Sequence, residues 1–410
     1  MISTTRCHRR GLVLLTFLFA LLCGPLTWAH EIEVTFGGVK QTITSTPHKP
    51  YLVIGSIREL RQHYGEIKDV LPPMPFMMEG QWILPAGRGF RTFPHKDGYI
   101  ETFSENCTYA VRYRPDHTGL AERPSEDFAL IRVGRGVQWR ADEGPPYPMV
   151  TDDGHVIAKV SPREGPLRMT IHGPNGDLLA TYDGPRDRLK PELWSLTPIP
   201  SERFVIARWM HDLIAVDYEG NVVWHKQLTP EKDKFPNPLF SSVSPDPLGR
   251  GLIRVTLPEG RRHLVEIVDP RTGDPLWTLT HGPVSPPKIF SRNGRYAVAL
   301  RRRPDLVVLD WLTGTELFGH VVTPDVPYSR WGVPALSESP LCLVVRTADD
   351  FTTSTVIDRD GQTLWRCTTD LGVLYHVISA DASQLCIYPE PHHAHGPEFM
   401  LFYDLREGGN

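Results

Sequence analysis

A glycine turn recurs seven times along this chain, and its period limits the fold more than any other feature. An apolar run ends in a tight turn at Gly136, Gly176, Gly220, Gly273, Gly314, Gly361 and Gly408, at spacings of 40, 44, 53, 41, 47 and 47 residues. Three or four residues after the first six comes an aromatic residue or Leu: Trp139, Leu179, Trp224, Trp277, Phe318 and Trp365. The fullest copy reads Ile267-Val268-Asp269-Pro270-Arg271-Thr272-Gly273-Asp274-Pro275-Leu276-Trp277. Asp and Gly supply a hairpin here, because Gly takes positive φ without steric cost. The Trp is a flat apolar body that can wedge between neighbouring sheets.

Upstream of each hairpin stands a second marker, a Ser- or Asp-rich turn before an apolar strand. Ser104-Glu105-Asn106, Thr151-Asp152-Asp153-Gly154, Ser244-Pro245-Asp246, Ser291-Arg292-Asn293-Gly294, Ser337-Glu338-Ser339 and Ser379-Ala380-Asp381 fill this slot, with Pro200-Ser201-Glu202 the poorest copy. Two turns per unit mean four strands per unit. Seven such units, with almost no helical periodicity, predict an all-β chain folded as a seven-bladed β-propeller over 99–410. The last unit shows only three strands, the third at Phe399–Asp404. An unpaired edge there would invite aggregation, so the expectation is closure by an N-terminal strand, with Gln81–Leu84 and Glu31–Phe36 as candidates.

The phrase Asp-x-x-Thr-Gly-x-x-x-Trp at Asp269–Trp277 resembles the repeat of quinoprotein-like propellers, and turns such as Ser291–Gly294 resemble WD40-like and YVTN-type bacterial propellers. The resemblance covers most of 99–410 and implies blade architecture. It does not carry over the quinone-dependent dehydrogenase activity of some members, because the adjacent Cys-Cys pair of those enzymes is missing here.

Residues 1–29 read as a secretory signal peptide, with Arg6, Arg9 and Arg10 ahead of an apolar Gly11–Cys23 and a small-residue cleavage site at Ala29. That predicts a periplasmic or secreted protein that meets the membrane only through this leader. Without the leader's three arginines, 41 basic residues face 48 acidic ones, a net charge of −7, which argues against nucleic acid as a partner. Of the four cysteines left, Cys342 and Cys386 align with Ala110, Val156 and Ala297 of sister units, so buried thiols are expected there rather than a disulfide, although spacing alone does not assign pairing.

Residues 30–98 do not carry the repeat. They read as a short α/β lead-in, with a hairpin around Gly37-Gly38 and a helix over Ser56–Val70 in which Ile57, Leu60, Tyr64 and Ile67 share a face. Pro72-Pro73 ends the helix.

Function on a propeller resides in loops held by the rigid sheets. Arg112, Lys159, Arg208, Arg301 and Arg346 fall at or near second-strand ends, with His211 close by. Converging at the channel mouth, such groups would hold an anionic ligand or an acidic partner. Interspersed Asp116, Asp212, Asp349 and Asp350 give the alternative, a solvated rim of mixed charge. His392, His393 and His395 are weak candidates for metal ligands, because they lack the i, i+4 spacing of a helical metal site and fit a Pro- and His-rich surface loop better. No cofactor is predicted. The leading expectation is a non-catalytic exported propeller that binds a protein or an anionic envelope polymer through the channel-mouth face. A hydrolase or lyase using His and Arg at that mouth is the alternative, ahead of a quinone-dependent dehydrogenase.

Overall fold

The computed structural model describes residues 29–36, 39–86, 89–115, 125–144, 148–160, 168–183, 193–199, 202–209, 212–227, 242–256, 264–279, 287, 289–302, 305–321, 334–348, 352–370, 374–389 and 399–406. Seven antiparallel up-and-down sheets follow one another in chain order as blades one to seven, over 100–144, 149–183, 193–227, 242–278, 289–321, 335–369 and 374–404. This is the expected β-propeller.

Both turn markers act through local hydrogen bonds. The hydroxyl of Ser104, Ser291, Ser337 and Ser379 accepts the N–H five residues on, from Tyr109, Tyr296, Cys342 and Gln384 at 2.7–3.1 Å. Thr151 accepts the N–H of His155, four residues on. These side chains are buried, so each satisfies a backbone donor that water cannot reach. In blade four the residue in this role is Asp246, which accepts from the Arg250 N–H. At the second turn the register shifts by one residue in each of blades one to six, a bulge just before the outer-strand residue that faces the next blade. Trp139, Trp224, Trp277, Phe318 and Trp365 occupy that inward place. In blade two it is held by Ala180 opposite Ile171, and Leu179 is the bulge residue instead.

The serine bonds also set the second-strand register. Cys342 stands where Tyr296 stands, so Leu343, paired with Ile357, matches Ala297, paired with Leu309. Cys386 lies one residue beyond Leu385, the match in blade seven. The expected alignment of both cysteines with Ala297 is therefore off by one, which places them on the opposite sheet faces. Both are nonetheless fully buried free thiols, Cys342 against blade seven and Cys386 against the lead-in. Burial pushes the Cys386 thiol pKa well up.

The lead-in takes three roles. Strands β1 (His30–Phe36) and β2 (Val39–Thr46) form the expected hairpin, and β2 adds to the outer strand of blade six through Ser45–Thr369 and Thr46–Thr368, making six strands there. Strand β3 (Leu52–Ile54) closes blade seven, pairing Leu52, Val53 and Ile54 with Phe402, Leu401 and Met400. Closure by an N-terminal strand is as expected. The closing strand is neither of the two candidates, because Glu31–Phe36 lies in the blade-six hairpin and Gln81–Leu84 in a separate sheet.

Helix α1 (Ile57–Ile67) comes next, running into a 3₁₀ turn at Lys68–Val70. Ser56 caps it by accepting the Glu59 N–H, and the Glu59 carboxylate reaches back to the Gly55 N–H. Strands β4 (Phe76–Met78), β5 (Gln81–Ala86) and β6 (Gly89–Pro94) then form a three-stranded sheet.

The cores show where that sheet sits. Among the described residues, eight apolar clusters lie between successive sheets. Six join neighbouring blades, from Val111 and Leu130 of blade one against Val156 of blade two, to Val344 of blade six against Leu385 of blade seven. In the seventh, Met400 and Phe402 of blade seven meet Phe76 and Ile83 of the three-stranded sheet, together with Ile57, Leu60 and Ile67 of α1. In the eighth, Leu84 and Phe93 from the other face of that sheet meet Ala110 and Ile131 of blade one. The seven blades are thus joined into a ring by an N-terminal sheet standing between the last and the first.

Candidate functional site

Arg112 lies in the second strand of blade one, and its guanidinium is already engaged. Nε donates to Glu101 Oε1 at 2.9 Å, Nη2 donates to the Pro94 carbonyl, and the group lies 4.9 Å from the Phe93 ring centre. The Glu101 side chain is fully buried and also bonds His95 Nδ1 at 2.7 Å and accepts Trp82 Nε1–H at 3.2 Å. Pro94 and Trp82 belong to the three-stranded sheet, so this cluster fastens blade one to the lead-in. Arg254, another second-strand arginine, pairs with Glu266 through Nε and Nη2 at 3.0 and 2.8 Å. Asp212 takes His225 Nε2 at 3.0 Å. For the two largely buried pairs, Arg112–Glu101 and Arg254–Glu266, removing one member strands the other charge, which costs about 3–5 kcal/mol, so these arginines serve the scaffold first.

Lys159 sits half-buried in the second strand of blade two, opposite Met169. Arg208 is buried in the second strand of blade three, and desolvation lowers its guanidinium pKa. Arg301 and Arg346 lie in the second strands of blades five and six, but their side chains fall outside the described residues. Arg346 pairs in the ladder with Ser354, whose hydroxyl lies 2.7 Å from His376 Nε2 of blade seven. His211, His392, His393 and His395 lie outside the described residues.

A feature of the outer strands was missed in the sequence. The bulge that turns an aromatic inward turns its neighbour outward. Leu179, Val223, Leu276 and Leu364 are these neighbours in blades two, three, four and six, and each is more than 40% exposed. Leu178 and Val222 extend the pattern on blades two and three. The result is a band of exposed aliphatic side chains at equivalent register on three consecutive blades. Its sequence signal is an apolar pair straight after the turn, Leu178-Leu179 and Val222-Val223, where an outer strand wet on one face alternates instead.

Near the hairpin turns of blades five and six the surface opens into a cleft of about 510 Å³. Leu317, Tyr296 and Leu341 give it apolar walls, and the blade-six turn Asp358–Asp360 forms one side.

No protein-family model matches the chain, and no curated protein does. Among solved structures, BamB from Moraxella catarrhalis aligns with a TM-score of 0.46 at 13% identity, covering 87% of this chain and 97% of that one.

Proposed function

We propose that this chain is an exported, non-catalytic propeller that binds a protein partner, with the aliphatic band on blades two to four as its principal contact. The band carries the proposal. Isolated exposed aliphatics are ordinary, but side chains repeated at one register across adjacent blades offer a partner a periodic set of apolar contacts, and exposed apolar surface of this kind marks protein contacts. Covering each of these half-exposed side chains gives on the order of 1 kcal/mol. The channel-mouth set of Lys159, Arg208, His211, Arg301 and Arg346 is assigned a secondary part, steering an acidic partner or an anionic envelope polymer.

The test compares the mature protein with a Leu179→Glu, Val223→Glu, Leu276→Glu variant as immobilised bait for envelope extract. A stoichiometric protein held by the parent and lost by the variant, with melting temperature unchanged, is the expected outcome. Equal capture by both contradicts the proposal. An Arg301→Ala, Arg346→Ala bait run in parallel removes the channel mouth from the account if capture is the same at low and high salt.

The domain reading belongs to the same proposal: 1–29 is the leader, 30–98 the lead-in and 99–410 the propeller proper, with cleavage after Ala29 releasing the protein to the periplasm or the medium. Its support is the order of Arg6, Arg9 and Arg10, the apolar Gly11–Cys23 and Ala29. N-terminal sequencing of exported protein should begin at His30, and an intact leader on the exported protein would refute cleavage.

A further inference from the structure

From blade two to blade five, each hairpin glycine is covered by a side chain of the preceding blade. A methyl group at Gly176 would meet Trp139 at 3.0 Å, at Gly220 it would meet Ala180 at 3.0 Å, at Gly273 Trp224 at 3.0 Å, and at Gly314 Trp277 at 2.9 Å. The glycine of blade six breaks the series, since a methyl at Gly361 would meet nothing within 4 Å. Blade five also differs at the facing place. Phe318 pairs with Val308 at the place where Trp277 pairs with Ile267 and Trp224 with Ala215. Phe318 is buried with Leu343 and Ile357. Three of the four covers are indoles, those of Trp139, Trp224 and Trp277, while Gly220 is met by Ala180; the phenyl of Phe318 has no second ring to extend as those indoles do. The cleft described above borders this uncovered turn.

The rim of the cleft is acidic on balance. Asp310, Glu338, Asp358 and Asp360 face Arg295 and Arg359. Arg295 already pairs with Asp310 at 3.3 Å, which leaves three carboxylates against one guanidinium. A side chain entering the cleft therefore finds apolar walls and then a field that favours positive charge. The volume is within the range of sites that enclose small ligands, roughly 300–1,000 Å³, enough for one large side chain and its neighbours.

We propose that this cleft docks an aromatic side chain, Trp or Tyr, of a partner protein with Lys or Arg beside it, so that the partner supplies the ring that blade five lacks. The site is separate from the aliphatic band on blades two to four, and either can fail without the other.

The probe is the peptide acetyl-Lys-Trp-Lys-amide, titrated into the mature protein by calorimetry, with acetyl-Lys-Ala-Lys-amide and acetyl-Glu-Trp-Glu-amide as controls. Saturable binding at least tenfold tighter than either control is expected. Phe318→Trp should fill the place over Gly361 and abolish that binding. Asp360→Lys, an exposed change that leaves the packing alone, should weaken acetyl-Lys-Trp-Lys-amide at least threefold and narrow its advantage over the Glu peptide. Equal affinity for all three peptides, or wild-type affinity in Asp360→Lys, overturns the proposal. So does wild-type affinity in a folded Phe318→Trp protein. Concentration-dependent dimerisation that Phe318→Trp abolishes would also overturn it, by showing that a second copy of this chain is the occupant.

Discussion

Asp246 links blade four to blade five through one carboxylate. Its Oδ1 accepts the Trp311 indole N–H at 2.6 Å, and Arg250 Nε donates to its Oδ2 at 2.8 Å. Trp311 is fully buried, so the bond anchors a large apolar side chain at the interface. Burial pushes the Asp246 pKa up, but the bonds from Arg250 and Trp311 outweigh it and hold the carboxyl below the usual carboxylate range. With its folded pKa below its unfolded one, Asp246 contributes stability that is present above about pH 4 and lost as pH falls through the folded value. Asp246→Asn should therefore lower the melting temperature at pH 7, and the gap to wild type should shrink on acidification below about pH 4. A constant gap from pH 7 to pH 3 would mean that the charge does not matter. None of this was legible in the sequence beyond an Asp in a turn. Trp311 follows it by 65 positions, and nothing local joins them. The same holds for Arg112, which reads as a free strand-end cation until Glu101 and the lead-in are folded against it.

At the scale of the element, the hairpins were legible because their chemistry is local. Gly314 and Gly361 have φ of +73° and +80°, a region costly for side chains, and the bulge follows directly. The closing strand was not legible for the opposite reason. Leu52–Ile54 is three residues between Pro50 and Gly55, too short to show alternation, and only its pairing with Met400–Phe402 makes it a strand. The three-stranded sheet lacks the Gly-to-Trp phrase because it has no fourth strand to carry it, so a search for the repeat passes over it. The second-strand register slipped by one residue at Cys342 because alternation within a fully buried strand is weak. The two glycines give a direct comparison. Gly361→Ala should cost only the backbone strain, about 1–2 kcal/mol. At Gly314 the new methyl would also meet Leu279 Cδ1 at 2.6 Å and Trp277 at 2.9 Å, and overpacking of this kind adds about 1–3 kcal/mol. Chemical denaturation of both variants measures the difference. Equal losses would show that the place over Gly361 is as full as the place over Gly314.

The whole molecule is a ring that the repeat alone does not complete. Blade seven takes its outer strand from β3, blade six takes two strands from β1 and β2, and the space between blades seven and one is filled by β4, β5, β6 and α1. The sequence showed the seven repeating units and the need for an N-terminal strand. It did not show that the lead-in contributes to three separate places, since each contribution is a contact across hundreds of residues. Ring closure is the claim on which the rest depends, because the aliphatic band and the cleft exist only at fixed angles between blades. It is tested most directly by comparing chain 30–410 with chain 99–410 by thermal unfolding and sedimentation. The shorter chain would leave the third strand of blade seven as an open edge and bare Met400, Phe402, Ala110 and Ile131, all buried in the complete chain. With the ring closed by the lead-in, 30–410 should melt in one cooperative transition as a defined species, while 99–410 should aggregate or show no cooperative transition. A monomeric 99–410 that melts cooperatively at the temperature of the longer chain would contradict it.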